Sequence, residues 1–278
     1  MDLDEPQHPW PVGRRSADGT KVGVVTVNWN TAGLLARLVY GLRRVVAPGT
    51  ITEIVVVDNA STDGSVDLAR ALAAAGVVHL IENPVQRYHG PGLTQGVNHL
   101  ARCADRVDLV WVLDTDVFVL RPDVLDVAVG ALDDSGAVLA ADPEDYTPGP
   151  AALTAGPLAL CSTLFDPAMV WRPRYRPFLE DGEPSRHLVA DLHGDGRPVL
   201  AFPFCADRYL LHLGRATLAQ VRARADATNR YGDWAAGHHE PHYAGLPDGA
   251  ALAAGFEEAF RAAVPDDRPE TLVATLAC

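Results

Sequence analysis

The sequence predicts an α/β fold: a mostly parallel central sheet with helices on both faces. Three observations predict it. Short β-branched runs alternate with helix-period segments between residues 21 and 113. Those runs stop abruptly at polar residues, as strands do at the carboxyl edge of a parallel sheet. The joining segments are short and carry Gly, Asn and Asp, which favour turns.

"KVGVVTVNWN" (21–30) is a buried strand ending in Asn28 and Asn30. "TAGLLARLVYGLRRV" follows, with Leu34, Leu35, Leu38 and Leu42 at helical spacing. In "ITEIVVVDNASTDGS" the apolar run 54–57 stops at Asp58. Asp63 or Ser65 caps the next helix, "VDLARALAAAG", which ends at Gly76. "VVHLIEN" (77–83) is a third strand. A Gly-rich loop, "VQRYHGPGLTQG", leads into "VNHLARCA", and "VDLVWVL" (107–113) is the fourth strand. Further on, "RPDVLDVAVGALDDSG" reads as a helix and "AVLAAD" (137–142) as a strand. Residues 143–185, rich in Pro, Gly, Trp and Arg, read as ordered loops and short strands. A helix "SRHLVADLHGDG", a strand "PVLAFP" (198–203), the run "RYLLHLGRAT" and a peripheral helix "DGAALAAGFEEAFRAAV" complete the pattern.

The 278 residues hold one large domain or two small ones. A net charge of -13 argues against general affinity for nucleic acid or anionic lipid. It leaves room for an anionic ligand, because a divalent cation can screen carboxylates locally. No apolar run approaches the roughly 20 residues of a membrane span, and the N-terminus lacks a basic segment followed by an apolar one. Cys103, Cys161, Cys205 and Cys278 form no CxxC pair, so no zinc site or disulfide framework is readable. Free thiols in a cytoplasmic protein are the expectation.

The chemistry concentrates in "LVWVLDTDVFVL" (109–120), an apolar run interrupted by Asp114 and Asp116. Residues i and i+2 of a strand point to the same side. Two carboxylates so placed at a strand end can converge on Mg²⁺ or Mn²⁺, hard cations that also take substrate phosphates. The bland alternative is a pair of solvated loop acids. Asp58 can accept hydrogen bonds from a ribose hydroxyl or a base N–H. Its neighbours Asn59, Ser61, Thr62 and Asp63 are equally good turn and cap formers. What favours a ligand is convergence: Asn28 and Asn30, Asp58 and Asn59, and Asp114 and Asp116 fall on one sheet edge.

Taken in order, "VVTVNWNTAGLL", "EIVVVDNASTDGSVDLA", "HGPGLTQGVNHL" and "LVWVLDTDVFVLRPDVL" resemble a family 2-like GT-A glycosyltransferase, inverting and nucleotide-sugar dependent. The resemblance covers residues 21–125 and continues faintly to about residue 217. It implies a nucleotide-sugar-binding half over 21–125 and an acceptor half over 126–247; the polar, Pro-rich residues 1–20 read as a flexible tail and 248–278 as a helical segment. Thr26, Asn28 and Asn30 would lie beside the nucleotide, as would Asp58 and Asn59. Asp114 would face the ribose with Thr115 beside it, and Asp116 would hold Mg²⁺ or Mn²⁺, with Asp114 a further candidate ligand. The family often shows N-x-G before its third helix, where this chain has "RYHGPG", making Arg87, His89, Gly90 and Gly92 candidates near the pyrophosphate; Asn98 fits the helix.

"PFLEDGEPSRHLVADLHGDG" resembles the family's acidic segment, which implies Asp181 as general base, with Glu180, Glu183 and Asp191 as rivals. His212 in "YLLHLGRAT" corresponds to a histidine that completes the metal shell in many relatives. The donor implied is a UDP-sugar. The acceptor is a hydroxyl-bearing small molecule or glycan, as in natural-product or polysaccharide biosynthesis, and a homodimer is compatible. "WRPRYRPF" (171–178) reads as an acceptor pocket or as structural packing, and "GHHEPHY" (237–243) as a surface or acceptor loop rather than a zinc site. Two other functions compete. One is a haloacid-dehalogenase-like phosphatase using Asp114, disfavoured because the only lysine, Lys21, lies upstream of the motif. The other is a sugar-nucleotide-binding module without transfer activity.

Overall fold

The structure is a computed structural model that describes residues 7, 10, 19–103, 107–144, 146, 148–179, 185–214, 246–266 and 268–276. Its strands are β1 (Val22–Asn28), β2 (Ile51–Asn59), β3 (His79–Asn83), β4 (Leu109–Leu113), β5 (Val117–Val119), β6 (Leu139–Pro143), β7 (Ala152–Thr154), β8 (Leu158–Phe165), β9 (Val199–Ala201) and β10 (Leu210–His212). The helices are α1 (Ala32–Tyr40), which continues in a π-helical turn over Gly41–Val45, then α2 (Ser65–Ala74), α3 (His89–Arg102), α4 (Val124–Ser135), α5 (Pro167–Val170), α6 (Arg186–Gly194), α7 (Gly249–Ala263) and α8 (Pro269–Leu276).

Eight strands form one mixed sheet in the order β3-β2-β1-β4-β8-β6-β9-β7. β3, β2, β1 and β4 are parallel, β8 runs antiparallel between β4 and β6, and β9 is parallel to β6. Strand alternation sorts the core into two layers. Val24, Ile54, Val56, Leu109 and Trp111 pack toward α1, α2 and α4, while Val25, Val55, Val57, Val110 and Val112 pack toward α3 and α6. Both faces are covered, so the strand sequences are continuously apolar rather than alternating. The polar ends of β1, β2 and β4 then mark the carboxyl edge.

Four expectations need correction. "LVWVLDTDVFVL" is two strands, with Asp114, Thr115 and Asp116 in the turn between them; β5 leaves the main sheet and pairs with β10. The Gly-rich "loop" is largely helix, because α3 already starts at His89. Its glycines serve close packing: a Cβ on Gly96 would lie 2.3 Å from Val25 Cγ1, and one on Gly92 2.8 Å from Val27 Cγ2. The segment 143–185 holds β8, an eight-residue strand in the middle of the sheet. The helix read as peripheral, α7, belongs to the core. Phe256 stacks on Phe118 at 4.2 Å, and Phe256 and Phe260 meet Tyr40 edge-on at 6.1 and 5.3 Å. Trp10 is buried in the core layer on the α3 side. No helix among the described residues is long and apolar enough to cross a membrane.

Candidate metal and nucleotide site

The site assembles where β1, β2 and β4 end. Asn28 and Asp58 are aligned partners on neighbouring parallel strands, so their side chains project on the same side. Asn28 Nδ2 donates to Asp58 Oδ2 at 2.8 Å and to Ser61 Oγ at 3.1 Å. Asp58 Oδ1 accepts the Ser61 amide at 2.9 Å. Both residues are buried, so these bonds offset the cost of taking a carboxylate out of water. Thr31 Oγ1 donates to Asn28 Oδ1 at 2.6 Å and reaches Thr115 Oγ1 at 3.3 Å, which links β1 to the D-x-D turn. Asn30 has φ 55°; its amide donates to Ser61 Oγ, and its side chain accepts from the Thr62 amide. Asp63 bonds the first amides of two helices, accepting from Ala32 N and Ser65 N at 3.0 Å each.

A second chain of amides places α3. Gln95 and Asn83 exchange hydrogen bonds, Asn83 Nδ2 donates to Asn59 Oδ1, and Asn59 Nδ2 donates to the Tyr88 carbonyl at 2.8 Å. Tyr88 is held at φ 66°, a strained position for a residue with a Cβ. The result delivers His89 to the D-x-D turn, its Nε2 3.3 Å from Asp114 Oδ1.

The ribbon of β5 and β10 supplies the third component. His212 is the register partner of Val117, the residue after Asp116, and Leu213 N donates to the Asp116 carbonyl at 2.9 Å. His212 Nε2 therefore lies 3.3 Å from Asp116 Oδ1 and 3.7 Å from Asp114 Oδ2. On the other side of the ring, Nδ1 lies 3.0 Å from the Tyr146 hydroxyl, which is 3.7 Å from Cys161 Sγ. Tyr146 thus sits between the His212 ring and Cys161, and the protonation of His212 decides whether the hydroxyl donates to Nδ1 or accepts from it. Nε2 is the nitrogen that faces the two acids, and it can ligate a cation once its proton has left.

Asp114, Asp116 and His212 each offer one ligand atom, and all three atoms lie within 4.8 Å of one another. Asp114 Oδ1 is buried without a hydrogen bond among the described residues, because His89 is near it but outside bonding geometry. Burial pushes Asp114 above the usual carboxylate range, and Asp116 adds to this against the opposing pull of His89 and His212. Burial works against the imidazolium of His212, but Cys161 and Asp116 outweigh it and hold its pKa well above the ordinary value. Two oxygen donors and one nitrogen donor with an unsatisfied buried oxygen fit a divalent cation such as Mg²⁺ or Mn²⁺.

Other sequence candidates are placed differently. Thr26 is fully buried one step deeper in β1, and Asn98 is fully buried with Oδ1 accepting from Trp171 Nε1 at 3.1 Å. Both face the core. Asp191 is engaged by the backbone and guanidinium of Arg176, which holds its carboxyl below the usual range. That is the opposite of what a base needs. In "WRPRYRPF", Trp171, Tyr175 and Phe178 are buried packing residues. Asp181, Glu180, Glu183 and the loop 237–243 lie outside the described residues. Sequence reasoning missed Asn83, Gln95, Tyr146 and Cys161. Asn83, the polar end of β3, carried the same strand-end signal as Asn28 and Asp58.

Residues 23–157, just under half of the chain, match the sequence profile of Glycosyl transferase family 2. The mannosyltransferase PcManGT from Pyrobaculum calidifontis, solved with GDP-Man and Mn²⁺, is 19% identical and superposes with a TM-score of 0.57. The match covers 97% of this chain and 88% of that one. S. aureus TarS 1–349, solved with UDP, gives a TM-score of 0.50 at 15% identity, covering 66% of this chain and 58% of that one. No curated protein sequence matches the chain significantly.

Proposed function

From a chain that carries a family 2-like glycosyltransferase domain on a GT-A fold, we propose that this protein transfers a sugar from a nucleotide diphosphate sugar to an acceptor hydroxyl with inversion. The observation that carries the reading is the meeting of Asp114, Asp116 and His212 at the carboxyl edge, beside the bonded Asn28–Asp58 pair. Asp114, Asp116 and His212 would hold Mg²⁺ or Mn²⁺, which supplies positive charge against the leaving diphosphate.

The remaining work falls to side chains. Asn28, Asp58 and the Ser61 turn form the floor under the nucleoside. Thr115, anchored through Thr31, fixes the turn on which Asp114 faces the ribose. His89 at the start of α3 approaches from the pyrophosphate side, where helix N-terminal amides favour anions. Asp181 is the base: its carboxylate takes the acceptor proton as the hydroxyl oxygen attacks the anomeric carbon. The new C–O bond forms on the face opposite the diphosphate, whose bond to the same carbon breaks in that step, so the configuration inverts.

The test pairs binding with turnover. Calorimetry with UDP and with GDP, each with and without Mn²⁺, should show one nucleotide bound in a metal-dependent way; both are tried because the similar structures hold UDP and GDP-mannose, respectively. Asp116→Ala should lower transfer by about 10²–10³-fold or more with an unchanged circular dichroism spectrum. Near-normal transfer by that variant in Mn²⁺ would remove the assignment. Nucleotide binding with neither transfer nor hydrolysis across a panel of sugars and acceptors would leave a binding module instead.

A further inference from the structure

At the opposite edge of the sheet, three side chains of another kind converge. Glu53 lies near the start of β2, His99 in the last turn of α3, and Cys103 at the C-cap of the same helix. Their ligand atoms all lie within 4.8 Å of one another, and His99 Nε2 is 2.8 Å from Glu53 Oε1. His99 and Cys103 are four residues apart, so the helix presents both on one face. His79 at the start of β3 stacks on the His99 ring at 3.7 Å. Glu53 and His99 are 19% and 18% exposed and Cys103 is half-buried, so solvent reaches the group while the protein restricts it.

We propose that Glu53, His99 and Cys103 form a second metal site, specific for Zn²⁺ or a similar borderline cation. One thiolate, one imidazole and one carboxylate are the donors zinc takes. The hard cations suited to the Asp114 and Asp116 carboxylates make poor use of sulfur. Charge closes as well: on binding, Cys103 releases its proton, and the thiolate and the Glu53 carboxylate balance a divalent ion. Zinc–ligand bonds of about 2.0–2.3 Å in tetrahedral geometry put the three donor atoms about 3.3–3.5 Å apart. Glu53 and His99 would open slightly from 2.8 Å, with the Cys103 sulfur within 4.8 Å of both. Water, or His79 after its ring turns, takes the fourth position. The ion would staple the start of β2 to the end of α3, far from the catalytic edge.

Cobalt(II) titration of the full-length protein tests this, because a cobalt–thiolate bond gives a near-ultraviolet charge-transfer band. The expected result is a band that saturates at one thiolate-bound cobalt, is displaced by Zn²⁺ and is absent from Cys103→Ser, while cobalt at Asp114, Asp116 and His212 adds no such band. His99→Ala should bind about 10–100-fold more weakly, and Asp116→Ala should keep the band. In an Asp116→Ala background, which disables the Asp114–Asp116–His212 position, Zn²⁺ should raise the melting temperature, and adding Cys103→Ser should remove that rise. Absence of any band in the folded wild type overturns the proposal. So does a band that survives in folded Cys103→Ser and His99→Ala, since that would place the thiolate at Cys161, Cys205 or Cys278.

Discussion

Replacing Gly90 by alanine tests whether α3 positions the segment that leads to the proposed base. A Cβ at Gly90 would lie 2.1 Å from the Leu179 carbonyl oxygen and 2.4 Å from its carbon, where ordinary contact begins at 3.4 Å. The backbone at Leu179 must therefore give way by about 1 Å. It cannot do so by sliding at Phe178, whose carbonyl accepts from Thr94 Oγ1 at 3.2 Å and whose ring packs on Trp171 at 5.5 Å. Asp181, the proposed base, follows Leu179 by two residues in sequence. Misplacing a reacting group by about 1 Å costs roughly 100-fold in rate. Steady-state transfer assays should show kcat about 100-fold lower for Gly90→Ala, with overall folding retained. Helix propensity acts in the other direction, since alanine inside a helix is favoured over glycine by up to about 1 kcal/mol. A variant with wild-type kcat and a raised melting temperature would show that the contact with Leu179 does not govern the base, and the reasoning would fail.

Further outcomes follow from the charges behind the metal position. Mn²⁺ must displace the proton from His212, whose pKa is held above its ordinary value, so Mn²⁺ affinity should fall by up to about tenfold per pH unit below that pKa; titrations across pH should show this, and His212→Gln should flatten the slope. Tyr146→Phe removes the hydroxyl that orients His212 Nδ1, and should weaken Mn²⁺ binding about 10-fold or more while leaving kcat at saturating metal nearly intact; equal losses in both would mean a direct role in transfer. Asp142 is buried with its carboxyl raised from 3.8 to about 7, so the folded state keeps a proton that the unfolded state has lost, and stability falls as pH rises through that window by up to about 4 kcal/mol. Urea melts should therefore show Asp142→Asn gaining over the wild type between pH 4 and 7 and level above, and a gain independent of pH would contradict that assignment.

The sheet was legible where a residue's neighbours in sequence are also its physical environment. Runs such as Val24–Val27 and Ile54–Val57 sit under helices on both faces, and that burial is written directly as unbroken β-branched sequence. Strand ends were legible for the same reason: an acid or amide after such a run has nowhere to go except the edge. What failed were positions defined by distant partners. Gly90, Gly92 and Gly96 look like loop residues locally, yet each answers to Leu179, Val27 or Val25 across the packing. β8 is flanked by Pro and Gly in sequence, but inserts antiparallel between β4 and β6 and receives the Trp111 indole on Ser162 at 2.9 Å.

The site divides along the same line. Asp114 and Asp116 could be read as a pair because they share a turn, although the strand argument used to pair them was wrong in detail. His212 lies 96 residues beyond Asp116 by sequence number, and only the β5–β10 register brings it within 3.3 Å. Tyr146 and Cys161 come from two further segments, and the Tyr146 hydroxyl holds Nδ1 so that Nε2 faces the two acids. A D-x-D motif thus locates the edge on which a metal can sit. Whether that edge binds a metal at neutral pH depends on how readily His212 gives up its proton, and hence on the acid and the thiol packed against it.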